Sequence, residues 1–169
     1  MAERWATFDC YGTLVDWNAG IRAQLARIFG DDRADELLAR YHELEPEIQA
    51  EQPSLPYREV VAEAMRRLGA QPHEEGALAE SLPDWPVFDE VPAALQDARD
   101  RGWRLALLSN SDRDLIEASR RRLGVPFELA IVAGEIGSYK PAPGHWERFY
   151  AETGAEPERH VHVAQSHFH

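Results

Sequence analysis

The chain has 169 residues, 44% of them apolar and 28% charged, with a formal net charge of −12. That length buries roughly 70% of the unfolded surface, enough for one core or a core with a smaller insertion, while the acidic balance opposes nucleic acid and anionic membranes as partners. The lone cysteine, Cys10, excludes an internal disulfide; the Met1-Ala2-Glu3-Arg4 start lacks the apolar stretch of a signal peptide and no run of about 18 apolar residues occurs, so a soluble cytoplasmic protein is expected. The first element is an apolar run, Trp5-Ala6-Thr7-Phe8, which reads as a short buried strand that delivers Asp9 to the point where Gly12 turns the chain out of the sheet. In open α/β sheets the carboxyl ends of strands are where ligands bind, so Asp9 is a candidate nucleophile.

After Leu14 the pattern is helical for some seventy residues. Ile21, Leu25, Ile28 and Phe29 share one face; after Gly30, Leu37, Leu38, Tyr41, Leu44 and Ile48 share another. Pro53 and Pro56 interrupt the chain before a third helix carrying Val60, Val61, Ala64, Met65 and Leu68, which ends at Gly69, and a weaker helix over 74–81 leads to the loop Pro83-Asp84-Trp85-Pro86. An alternating pattern then resumes: helix 91–101, strand 104–108, helix 112–123, strand 129–132, helix 144–153 and strand 160–165. Strands alternating with helices imply parallel pairing and right-handed crossovers, so the first strand pairs with later ones across a helical insertion. Ser111 or Asp112 is expected to cap the helix that follows.

Four segments carry candidate chemistry: Phe8-Asp9-Cys10-Tyr11-Gly12-Thr13-Leu14; Leu105-Ala106-Leu107-Leu108-Ser109-Asn110-Ser111; Gly137-Ser138-Tyr139-Lys140-Pro141; and His160-Val161-His162-Val163-Ala164-Gln165-Ser166-His167-Phe168-His169. In that order they resemble the signatures of the haloacid dehalogenase-like hydrolase superfamily. Tyr11 stands where its phosphatases carry a second aspartate, which is the form of the 2-haloacid dehalogenase branch. The resemblance implies an α/β fold, a Rossmann-like parallel-sheet core (1–14 and 90–169) with a helical cap (15–89) inserted after the first strand. It also implies a truncated end, since the chain stops one residue before an expected acid and without a final helix and strand.

The implied activity is displacement of halide from a small 2-haloalkanoic acid through a covalent ester on Asp9. Lys140 is the implied partner of the nucleophile, and Ser109 the hydroxyl that holds the substrate's anionic group. Tyr11, Thr13, Asn110, Trp146, Gln165 and His167 are further implied substrate contacts, Trp146 replacing a tyrosine of the dehalogenases. Arg40 aligns with the arginine that reaches the halide from the cap, and a helical pair with Glu36 is the competing use of it. Gln165 supplies no charge where the phosphatases place an aspartate, so no metal and no cofactor is expected; Mg²⁺ enters only if the chain is instead a phosphatase of the same superfamily. An inactive truncated or binding protein is the third reading. The expected partner is a small anionic organic molecule, with a homodimer left open.

Overall fold

Leu105-Ala106-Leu107-Leu108 is apolar on both sides, a composition that suits a strand covered on both faces. In the computed structural model, which describes residues 3–166, it lies in β2 (Trp103–Ser109) and is buried throughout. β1 (Arg4–Phe8) pairs with it in parallel, β3 (Leu129–Val132) lies on its other side, and β4 (His160–Val163) pairs with β1. The sheet order is β3-β2-β1-β4, all parallel, which confirms the α/β Rossmann-like class.

One sheet face carries Ala6, Phe8, Leu105 and Leu107 into a core with Val91 and Leu95 of α5 (Val91–Asp100) and Leu115, Ile116 and Leu123 of α6 (Arg113–Leu123). The opposite face presents Trp5, Ala106, Leu108 and Ile131 to Phe149 of α8 (Gly144–Thr153), whose ring meets Trp5 edge-on at 5.5 Å. A short helix, α7 (Ala133–Ile136), follows β3 where no element was expected. The fourth strand ends at Val163 rather than 165, and its Val161 and Val163 remain 45% and 41% exposed.

Between β1 and α5 stand four helices: α1 (Trp17–Phe29), α2 (Asp31–Glu51), α3 (Tyr57–Arg67) and α4 (Ala77–Ser81). The expected helices are present, the weak fourth one shorter than 74–81. Asp112 departs from expectation. It occupies the N-cap position of α6 but makes no cap bond there; its two oxygens accept from the backbone N–H groups of Tyr57 (3.1 Å) and Arg58 (2.8 Å). Those are the first N–H groups of α3, which have no partner within their own helix, so Asp112 caps a helix of the inserted block from the end of β2.

Gly20 is the point of closest approach between α1 and the chain that returns to the core. A Cβ built there would lie 2.3–2.6 Å from the Trp85 ring, and Trp85 is itself buried, with its indole N–H on Ser81 Oγ at 3.0 Å. Helix propensity favours alanine over glycine by about 1 kcal/mol, whereas overpacking a rigid core costs about 1–3 kcal/mol. Overpacking against a bonded indole dominates here. Gly20→Ala is therefore expected to lower unfolding free energy by about 1–2 kcal/mol in urea titration, and a stabilised variant would contradict this packing.

Candidate active site

The strand register assembles the site. Phe8 lies opposite Leu107 in β2 and Val163 in β4, so the residues that follow each strand emerge together at one end of the sheet. Asp9 is held there by its own N–H on the Val163 carbonyl at 3.0 Å. Gly12, at φ +88°, turns the chain back at once, a conformation open to glycine and strained for other residues. Within that turn Thr13 donates to Asp9 Oδ2 (3.2 Å) and accepts from the Gln165 backbone N–H (3.0 Å).

Lys140 closes the pair. Its Nζ lies 2.8 Å from Asp9 Oδ1 and 2.8 Å from the Leu108 carbonyl, with the side chain 1% exposed against 11% for Asp9. Asn110 clamps the lysine backbone on both sides, its Oδ1 accepting from Lys140 N (2.7 Å) and its Nδ2 donating to Lys140 O (3.1 Å). Ser109 is buried, its hydroxyl has no hydrogen-bond partner, and its carbonyl accepts from His145 Nε2 at 3.0 Å. Burial pushes the His145 imidazole down to about 4, so it is neutral and donates that bond as an ordinary N–H.

These groups and the helical block enclose a cavity of about 30 Å³ lined by Asp9, Tyr11, Ser109, Asn110 and Lys140 from the sheet end and by Trp17, Glu45 and Tyr57 from the helices. Tyr11 contributes its ring, while its hydroxyl turns to Ser119 Oγ at 3.0 Å and burial raises its pKa far above the phenol range. Sequence reasoning did not single out the three helical residues. Glu45 follows Tyr41 by one helical turn and so lies on the buried stripe of α2 with Leu37, Tyr41, Leu44 and Ile48, a periodicity that was available in the sequence. Burial, followed by the charge of Asp9, outweighs its hydrogen-bonding neighbours and lifts its carboxyl to about 7.

Arg40 does not join them. It is one residue out of phase with the buried stripe of α2, is 49% exposed, and pairs with Glu43 (2.6 Å) and Glu47 (3.9 Å), neither of them the Glu36 expected as its alternative partner. Trp146 also stays outside the cavity, its ring 5.5 Å from His162 and packed on the Trp5–Phe149 cluster. The Gln165 side chain is exposed and only its backbone reaches Thr13; His167 lies outside the described residues.

Residues 4–164 match the family model described as haloacid dehalogenase-like hydrolase. The chain belongs to the haloacid dehalogenase-like hydrolases. It is 33% identical over 118 residues to a phosphoserine phosphatase of Thermus thermophilus, covering 66% of this chain and 47% of the relative, so the chain spans about half that protein's length. In fold it is similar to a dehalogenase solved with an intermediate complex (TM-score 0.84, 17% identity, 99% of this chain and 78% of that one). It is equally similar to the L-2-haloacid dehalogenase of Xanthobacter autotrophicus with chloropropionic acid covalently bound (TM-score 0.84, 18% identity, 98% and 71%).

Some members of this superfamily use Mg²⁺, and the donor set here does not fit it. Mg²⁺ favours several anionic oxygens in octahedral array. Among the described residues Asp9 is the one carboxylate lining the cavity from the sheet end, with its oxygens engaged by Lys140 and Thr13, and the neighbouring loops bring the Tyr11 ring and an exposed amide. Among the described residues no group of three or more His, Cys, Asp or Glu side chains could hold a metal ion, and no helix is long and apolar enough to cross a membrane.

Glu45 gives the site a measurable signature. Because its folded pKa, about 7, lies above the unfolded value, the stability it contributes is fully present below about pH 4.3 and is lost as pH rises through about 7. Glu45→Gln keeps the shape without the titration. Its melting temperature relative to the wild type is expected to rise between about pH 5 and about pH 8, and a pH-independent difference would contradict the buried carboxyl.

Proposed function

We propose that the chain is a metal-independent hydrolase of the 2-haloacid dehalogenase type, in which Asp9 displaces halide from carbon 2 of a small 2-haloalkanoic acid. The observation that carries this reading is Tyr11. Two residues after the nucleophile it offers a ring to the cavity and buries its hydroxyl against Ser119. An alcohol leaving from a phosphate ester needs a proton from that loop, and a phenol of strongly raised pKa supplies it poorly; a halide leaves without one.

Asp9 and a substrate carboxylate repel each other by about 4 kcal/mol at 4 Å in a medium of effective dielectric 20. Lys140, already 2.8 Å from Asp9, offsets that repulsion, and the unpartnered Ser109 hydroxyl is a donor for the substrate carboxylate. The Asp9 oxygen attacks carbon 2, the carbon–halogen bond breaks, and the halide departs with the electron pair. With Arg40 turned to solvent, the donor beside the leaving halide is Trp17, whose buried indole N–H lacks a hydrogen-bond partner. The resulting ester is then hydrolysed to the 2-hydroxy acid.

Hydrolysis of a phosphate monoester with Mg²⁺ is the competing reading, favoured by the phosphoserine phosphatase relative. One assay separates them. Halide release from 2-chloropropionate is expected to survive EDTA, to fall below about 1% in Asp9→Asn, and to exceed any phosphate release from phosphoserine with Mg²⁺. Phosphate release strictly dependent on Mg²⁺, without halide release, would return the chain to the phosphatases.

A further inference from the structure

The segment from Lys140 to His145 grips the end of β2 at three successive residues. Lys140 Nζ donates to the Leu108 carbonyl at 2.8 Å, His145 Nε2 donates to the Ser109 carbonyl at 3.0 Å, and the Asn110 side chain takes the Lys140 backbone on both sides. The first and last of these contacts serve the nucleophile, because they hold the lysine that pairs with Asp9. The contact from His145 has no place in that ion pair.

Packing alone does not account for His145. It is the second residue of α8 and fully buried, and α8 starts so close to the preceding loop that a Cβ on Gly144 would lie 3.3 Å from Ser138 Cβ. With its Nε2–H on the Ser109 carbonyl, the neutral ring leaves Nδ1 as a bare acceptor, buried and without a hydrogen-bond partner among the described residues. A buried acceptor left open costs free energy, and an aliphatic side chain would fill the space without that cost. What an aliphatic chain cannot do is bond the carbonyl.

That carbonyl governs the direction of the Ser109 hydroxyl. Ser109 is the last residue of β2 and pairs with Val132 of β3, which sets its backbone on the strand side. On the other side the peptide unit is a rigid plane, so a bond to its carbonyl fixes the remaining torsion, and the rotamers open to the side chain depend on both. Ser109 lines the cavity and its hydroxyl is buried without a partner among the described residues, whereas His145 does not line the cavity. His145 therefore reaches a substrate only through Ser109.

We infer that His145 is a positioning residue of this hydrolase, which by holding the Ser109 carbonyl aims the Ser109 hydroxyl at the substrate carboxylate. The inference rests on the 2-haloacid reading of the site. The substrate carboxylate is unchanged while the carbon–halogen bond breaks, so a donor to it acts on ground and transition states alike and its loss is read in KM rather than in kcat.

The test measures halide release at varied 2-chloropropionate in the wild type, His145→Leu, His145→Asn, His145→Gln, Ser109→Ala and the double variant His145→Leu with Ser109→Ala, together with the melting temperature of each. Leu has no donor and the Asn amide is too short for the Ser109 carbonyl, so each is expected to raise KM about 10-fold with kcat within about threefold of the wild type. Gln carries an amide donor on a longer chain and is expected to bring KM back to within about threefold. Ser109→Ala raises KM by a similar factor, and adding His145→Leu to it changes KM no further, since the hydroxyl that His145 places is gone. A lowered melting temperature with KM within about twofold of the wild type in His145→Leu and His145→Asn makes His145 a packing residue and overturns the inference. Effects that multiply in the double variant also overturn it, by making the two residues independent. A wild type that releases halide with a KM indifferent to Ser109→Ala overturns the inference and leaves Asp9 standing. A wild type that releases no halide overturns the 2-haloacid reading, and the role of His145 with it.

Discussion

The ion pair between Lys140 Nζ and Asp9 Oδ1, 2.8 Å long and almost wholly buried, is the contact on which the rest of the structure depends. Two charges taken out of water must be paired and otherwise hydrogen-bonded, and removing one partner from such a pair costs about 3–5 kcal/mol. The surrounding bonds meet that demand. The Leu108 carbonyl takes a second lysine proton, Thr13 serves the other aspartate oxygen, and Asn110 grips the lysine backbone on both sides. Strand register, the Gly12 turn and the loop before α8 can be read as means of bringing these groups to one point.

The helical block completes the site because it is tied to the same sheet end. Asp112 caps α3 from beyond β2, the Tyr139 hydroxyl donates to the Leu55 carbonyl at 2.6 Å, and Asp16 N–H reaches the Pro86 carbonyl at 2.7 Å. Closure is tight enough that only about 30 Å³ remains between Glu45, Trp17 and Tyr57 on one side and Asp9 on the other. By covering Lys140 and Asp9, the same packing strengthens the electrostatic contact between them.

Much of this was legible in the sequence for physical reasons. Continuous apolar runs ending in small polar residues marked the strands, and a strand that ends in Asp9-Cys10-Tyr11-Gly12 can only turn away from the sheet. The sites of failure are equally physical. Arg40 aligns with the cap arginine that the resemblance implies, but the phase of its helix gives the cavity Glu45 and gives solvent Arg40. Asp112, one of two expected caps of its own helix beside Ser111, instead meets the unpaired N–H groups of α3, a relation that no local pattern reveals. Trp17 and Tyr57 look like ordinary core aromatics until the packing shows which edge of each remains against a cavity.

The central claim is that the substrate is attacked by Asp9 and not by water. A single turnover of 2-chloropropionate with excess enzyme in water labelled with oxygen-18 tests it most directly. The account predicts an unlabelled hydroxyl in the product and one heavy oxygen in the peptide containing Asp9. Label in the product hydroxyl and none in that peptide would contradict it.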